Sequence, residues 1–98
     1  MVMLSNFQIA LALQILRERN GISAEDLNSC AGLAPGEVGR IEGGEIGLDY
    51  LTAARLTNVL HVALAEIATT AYALDPVLVT HRYEQFRALN RKSFRTGI

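Results

Sequence analysis

Apolar residues recur along this chain at intervals of three and four, broken by glycine, proline and short polar clusters, and that spacing predicts helices throughout. Ser5-Asn6-Phe7-Gln8 reads as a capping box, in which the serine accepts first-turn amides and the glutamine reaches back. The helix it opens runs to about residue 20, with Leu13 and Leu16 on its inner stripe and Gly21 suited to its end. Ser23 with Asp26 opens a second helix and puts an acidic side chain at the positive end of the helix dipole. Leu27, Cys30 and Ala31 share its inner face, which makes Cys30 a small semi-core residue, and Gly32 ends it. Pro35 suits the first turn of a short third helix, where its missing N–H is not needed. Val38 and Ile41 face inward there, and Gly43-Gly44 stop the helix.

Asp49 caps a fourth helix that reaches Leu60, with Tyr50, Ala53, Leu56 and Leu60 at helical spacing. A fifth helix covers roughly 63–74, with Leu64, Ile67, Ala68 and Ala71 inward and His61 in the turn before it. Asp75-Pro76 then acts as N-cap and first residue of a sixth helix. Its apolar stripe is Val79, Tyr83, Phe86 and Leu89, flanked by Arg82, Arg87, Arg91 and Lys92. A short extended piece at 77–79 is the alternative there, because two of those residues are β-branched. Residues 93–98 are expected to fray. No other segment alternates with a strand's period of two, so the fold class is all-α.

The length of 98 residues allows one compact domain, and the 50% apolar content supports a core without disulfide or metal staples. No stretch reaches the roughly 18 uninterrupted apolar residues of a membrane span. The apolar stretch 1–16 lacks a basic leader, so a signal peptide is not expected. A single cysteine suits a reducing cytoplasm. Charge adds more. The net −1 hides a polarity: residues 21–50 carry Glu25, Asp26, Glu37, Glu42, Glu45 and Asp49 against Arg40, a net −5. Residues 76–98 carry Arg82, Arg87, Arg91, Lys92 and Arg95 against Glu84, a net +4. A near-neutral total argues against nucleic-acid binding by bulk electrostatics alone.

Several spaced residues stand together in a pattern. They are Leu13-x-x-Leu16-Arg17, Gly21-Ile22-Ser23, Leu27, Ala31-Gly32-Leu33 and Val38-x-x-Ile41-Glu42-x-Gly44, followed by Tyr50, Leu56, Leu60, Val62, Leu64 and Ile67. With them the chain from about residue 10 to residue 67 resembles, without a gap, the helix-turn-helix domains of the Cro and lambda-repressor type, the XRE family. The resemblance implies a five-helix DNA-binding domain over residues 1–74, with the helix-turn-helix at 23–44. It leaves residues 75–98 as a basic C-terminal helical extension. It implies a partly buried ion pair between Arg17 and Glu42, tying the first helix to the end of the third. It implies transcriptional regulation by a homodimer on DNA. Contacts would come from Ser23 and Ala24 at the start of the second helix and from Ala34, Pro35, Gly36, Glu37, Gly39 and Arg40 around the third.

The residues at those positions pull the other way. Only Arg40 has the donors that read base edges well. Glu37 accepts from a cytosine amino group but repels phosphates. Ala34 stands where a hydroxyl cap is usual, a loss of about 1 kcal/mol. Gly36 and Gly39 inside a helix each cost up to about 1 kcal/mol relative to alanine. Glu45 falls where relatives often place a cation. Ser23 and the amides at helix starts still suit phosphate. Two readings stay open: a dimeric DNA-binding regulator whose basic tail adds phosphate contacts, or a degenerate helix-turn-helix that serves as a protein-interaction or oligomerisation module.

The stripe Val79, Tyr83, Phe86 and Leu89 either packs back on the domain or forms a dimer or partner surface. The second is favoured because the five-helix pattern is complete before it. The basic extension also suits docking on the acidic face of its own or a neighbouring chain, or on another protein. Other chemistry fails on spacing. The glycines at 36, 39, 43, 44 and 47 are not followed by Lys-Ser or Lys-Thr, as a phosphate loop requires. His61 and His81 have no ligands at metal spacing, Cys30 has no evident histidine, and Glu25-Asp26 do not face one site on a helix. Neither an enzyme, a metal, a cofactor nor a membrane partner is expected.

Overall fold

The structure, a computed structural model, describes the backbone of residues 6–96, with side chains through Gln85 and at Ala88. The capping role of Ser5 and the side chains of Phe86, Arg87, Leu89, Arg91, Lys92 and Arg95 lie outside the described residues. The fold is all-α, with no strand among the described residues: α1 Asn6–Arg19, α2 Ala24–Ala31, α3 Glu37–Glu42, α4 Tyr50–Leu60, α5 Ala65–Tyr72 and α6 Pro76–Thr96.

Helix α1 forms the centre. Ala10, Leu11, Ala12 and Leu13 are buried in succession, followed by Leu16, so the helix is enclosed on more than one side. It packs against α3, α5 and α6, while α2 packs against α3 and α4. The largest fully buried side chains are Leu13, Leu27, Val38, Ile41 and Leu56, one or two from each of the first four helices. Asn20 Nδ2 donates to the carbonyl of Leu60 at 2.9 Å and ties the end of α1 to the end of α4.

Helix α2 begins at Ser23, whose Oγ accepts the N–H of Asp26 at 3.1 Å, and ends at Gly32 in the left-handed conformation. Its inner face differs from the one expected. Cys30 is exposed, and Asn28 is buried at 2% exposure. Ala24, Leu27, Asn28 and Ala31 form the i, i+3, i+4, i+7 stripe of a helix, and Cys30 lies off it.

Helix α4 is capped by Asp49, whose Oδ1 accepts the N–H of Thr52 at 2.8 Å. Ala53, Leu56 and Leu60 are buried, together with Thr57, whose hydroxyl donates to the carbonyl of Ala53 at 2.9 Å. Tyr50 does not join that core: it is 77% exposed. The first turn of α4 extends past the packed interior, and Tyr50 lines the rim of an apolar hollow with Ile9, Leu48, Ala53, Leu64 and Ile67. His61 closes α4 in the left-handed region, at φ 57°.

Helix α5 is shorter than the 63–74 read from spacing. Leu64 at its start offers no capping side chain, and Ala73 leaves helical geometry at its end. Ile67 and Ala71 are buried, while Leu64 and Ala68 are half-buried. At α6, Asp75 Oδ1 accepts the N–H of Val77 at 2.9 Å, and residues 77–79 are helical rather than extended. The helix continues to Thr96, past the point where fraying is expected. It leans on α1 through an edge-to-face contact of Phe7 with Tyr83, ring centroids 5.6 Å apart at 78°. Among the described residues no helix is long and apolar enough to cross a membrane.

Candidate nucleic-acid interface

The residues between α2 and α3 set the geometry of the candidate site. Ala34-Pro35-Gly36-Glu37 form a β-turn, with the N–H of Glu37 donating to the carbonyl of Ala34 at 3.1 Å. Gly36 has φ 78° and ψ 0°, the third-residue conformation of a type II turn, and proline is the favoured second residue of that turn. Pro35 and Gly36 therefore belong to the turn and not to the first turn of α3, which starts at Glu37. This shortens the third helix to six residues and removes Gly36 from its interior.

The missing hydroxyl cap at Ala34 is replaced from another helix. Gly36 makes no side-chain cap, and the N–H of Val38 donates instead to Asn28 Oδ1 at 2.8 Å. An α2 side chain thus satisfies one of the free amides at the start of α3. The Nδ2 of Asn28 is buried with no hydrogen-bond partner among the described residues.

The other end of α3 is held by charge. Arg17 Nε donates to Glu42 Oε2 at 2.7 Å and Nη2 to Glu42 Oε1 at 3.0 Å, a two-pronged pair. Arg17 Nη1 also donates to the carbonyl of Ile22 at 2.9 Å. The side chains are 14% and 10% exposed. The hydrogen bond to Glu42 holds the Arg17 guanidinium above its ordinary pKa, against the opposing effect of burial, with Glu42 and Glu18 adding Coulombic support. One arginine therefore joins α1, the loop before α2 and the end of α3.

Between these two anchors α3 turns Val38 and Ile41 inward and Gly39 and Arg40 outward. Glu37 is half-buried, and Ala34 and Pro35 are exposed in the turn. The N–H of Arg40 donates to the carbonyl of Gly36 at 3.0 Å, which places Arg40 one helical turn beyond the β-turn. The carbonyl of Arg40 accepts from Glu45 at 2.9 Å and Ile46 at 3.4 Å, so the exit loop folds back on the end of α3. Ser23 sits at the far end of α2, its hydroxyl engaged with Asp26. Glu25, Asp26 and Glu45 are exposed around this region, with Arg40 as the exposed cation of α2 and α3. Among the described residues no group of His, Cys, Asp or Glu side chains could hold a metal ion.

Val79 is half-buried and Tyr83 is 46% exposed, the latter against Phe7 of α1. The described part of that stripe is thus in contact with its own chain. Sequence reasoning missed Asn28. A polar residue on an apolar helix stripe was its one signal, but its partner lies ten residues on and across the turn.

The chain matches no family model and no curated protein sequence.

Proposed function

We propose that this chain is a DNA-binding transcriptional regulator of the XRE type, a lambda-repressor-like unit of α1–α5 with α6 as an extension. It acts as a homodimer in the cytoplasm, without enzymatic activity or cofactor. The observation that carries this reading is the mounting of α3. Asn28 anchors its start and the Arg17–Glu42 pair its end, while Arg40 stands outward between them. A short helix fixed at both ends with one exposed arginine suits insertion in a major groove, where arginine pairs two donors with the N7 and O6 of guanine.

The second reading, an interaction module that has lost DNA reading, draws on a different observation. Glu25, Asp26 and Glu45 are exposed around the same helices, and Gly39 beside Arg40 offers no side chain. Selection of bound duplexes from mixed genomic fragments over a salt series separates the two. Enrichment of particular fragments at physiological salt, lost in Arg40→Ala with the helical signal unchanged, supports the regulator. Absence of binding even at low salt overturns it and leaves the interaction module.

A further inference from the structure

We propose that the cleft between α1, α6 and the end of α3 is a binding site for a small organic anion, a carboxylate carried on a single aromatic ring. The proposal is independent of the DNA-binding reading and stands if that reading fails.

The cleft has a volume of about 120 Å³ and opens to solvent on one side. Phe7, Leu11 and Gln14 of α1 reach it, spaced i, i+4 and i+7 so that they share one helix face. Arg82 and Gln85 of α6 line a second wall, and Glu42 with Gly43 close the cleft at the exit of α3. Its surface is mostly apolar, with Phe7 and Leu11 as the apolar side chains. The Phe7 ring packs edge-to-face on Tyr83, which fixes that wall. A cavity of roughly 150 Å³ accepts a benzene ring. A cleft of about 120 Å³ with an open mouth therefore takes one ring and leaves its substituent at the rim.

The charge at the rim selects an anion. Both oxygens of Glu42 accept from Arg17, at 2.7 Å and 3.0 Å, so that carboxylate is already neutralised. Arg82 is exposed and forms no ion pair among the described residues. It is the uncompensated charge of the cleft, and a guanidinium pairs best with a planar carboxylate. Gln85 adds an amide one helical turn along from Arg82. Gln14 is less available, because its Nε2 donates to Glu18 at 3.1 Å. Inorganic phosphate would satisfy Arg82 but leave Phe7 and Leu11 in water, and a neutral ring would do the reverse. A ligand with both parts uses the whole lining.

The test titrates the isotope-labelled full chain with benzoate, benzamide and inorganic phosphate at constant ionic strength, followed by amide NMR shifts. Benzoate should give saturable shifts centred on Leu11, Gln14, Gly43 and Gln85, with a dissociation constant of roughly millimolar order for so small a ligand. Benzamide, which lacks the charge, should bind about 10-fold more weakly. Phosphate, which lacks the ring, should also bind about 10-fold more weakly. Arg82→Gln should weaken benzoate to the level of benzamide, and the exposed position lets the variant keep its fold. Saturating benzoate should raise the melting temperature of the wild type more than that of Arg82→Gln. Absence of a saturable shift overturns the proposal. So do equal affinities for benzoate and benzamide, equal affinities of wild type and Arg82→Gln, phosphate bound as tightly as benzoate, or shifts centred on the apolar hollow beside Tyr50.

Discussion

The backbone N–H of Val38 donates to the buried Asn28 Oδ1 at 2.8 Å, so a side chain of α2 caps the start of α3. Val38 is fully buried, and its amide has no water to turn to if the asparagine is removed. Asn28→Ala orphans that amide, an effect of about 1–3 kcal/mol, partly offset because the unpartnered Nδ2 leaves with it. The melting temperature should fall by about 4–8 °C per kcal/mol for a domain of this size. The exposed neighbour Ser29→Ala is the control and should change stability by less than about 0.5 kcal/mol. Equal melting of the two variants would show that the cross-helix cap contributes nothing.

Gly36 and Gly39 should respond to alanine with opposite signs. An added Cβ meets nothing within 4 Å at either position, so sterics do not distinguish them. Backbone conformation does. Gly36 has φ +78°, which a side chain adopts with strain, and Gly36→Ala should destabilise by about 1–2 kcal/mol. Gly39 lies inside α3 and is free of that constraint, so Gly39→Ala should stabilise by up to about 1 kcal/mol. Chemical denaturation of both variants checks the pair, and a shift of the same sign in both would refute the turn assignment.

Which features could be read in advance follows from how local their causes are. Ser23, Asp49 and Asp75 cap helices through amides two or three residues away, and each is visible as a short pattern. The core stripe of α4 from Ala53 to Leu60 likewise follows from 3.6-residue spacing. Tyr50 obeys the same spacing yet stays exposed, because spacing fixes a face and not how far the packed interior extends. Pro35 and Gly36 carry two compatible signals, a helix start and a type II turn, and the left-handed glycine decides for the turn. Asn28 acts on Val38 only after α2 and α3 pack, so nothing local marks it. Arg17 and Glu42, 25 positions apart, are also non-local. They were legible only through the family resemblance, and the structure places them 2.7 Å apart.

That pair should be sensitive to the loss of one partner and more tolerant of the loss of both. Glu42→Gln keeps the shape but leaves the guanidinium without its counter-charge in a mostly buried place. Partial exposure lowers the cost from the 3–5 kcal/mol of a fully buried pair to about 2–3 kcal/mol. Arg17→Met/Glu42→Leu removes both charges and should lie closer to wild type, short of it by the lost bond to the carbonyl of Ile22. Urea denaturation of wild type, Glu42→Gln and the double variant measures this, and a double variant less stable than Glu42→Gln would contradict it. The raised pKa of Arg17 makes its contribution fully present below the ordinary arginine value and lost only as pH rises beyond the folded one, in strongly alkaline solution. The pair therefore adds no slope through Arg17 between about pH 5 and pH 9.

Acid sensitivity should instead appear at Asp49. The N–H of Thr52 donates to its carboxylate, and this holds the Asp49 pKa below its ordinary 3.8, with smaller help from Leu51 and Arg55. A depressed folded pKa means that the contribution is present above 3.8 and is lost as pH falls through the folded value. Asp49→Asn keeps an oxygen to accept the Thr52 amide but cannot titrate. Between pH 6 and pH 3 the wild-type melting temperature should therefore fall further than that of Asp49→Asn. Asp49 is fully exposed, so the difference should be small and should shrink in high salt. Identical pH profiles for the two proteins would show that the cap holds equally well with its carboxyl protonated.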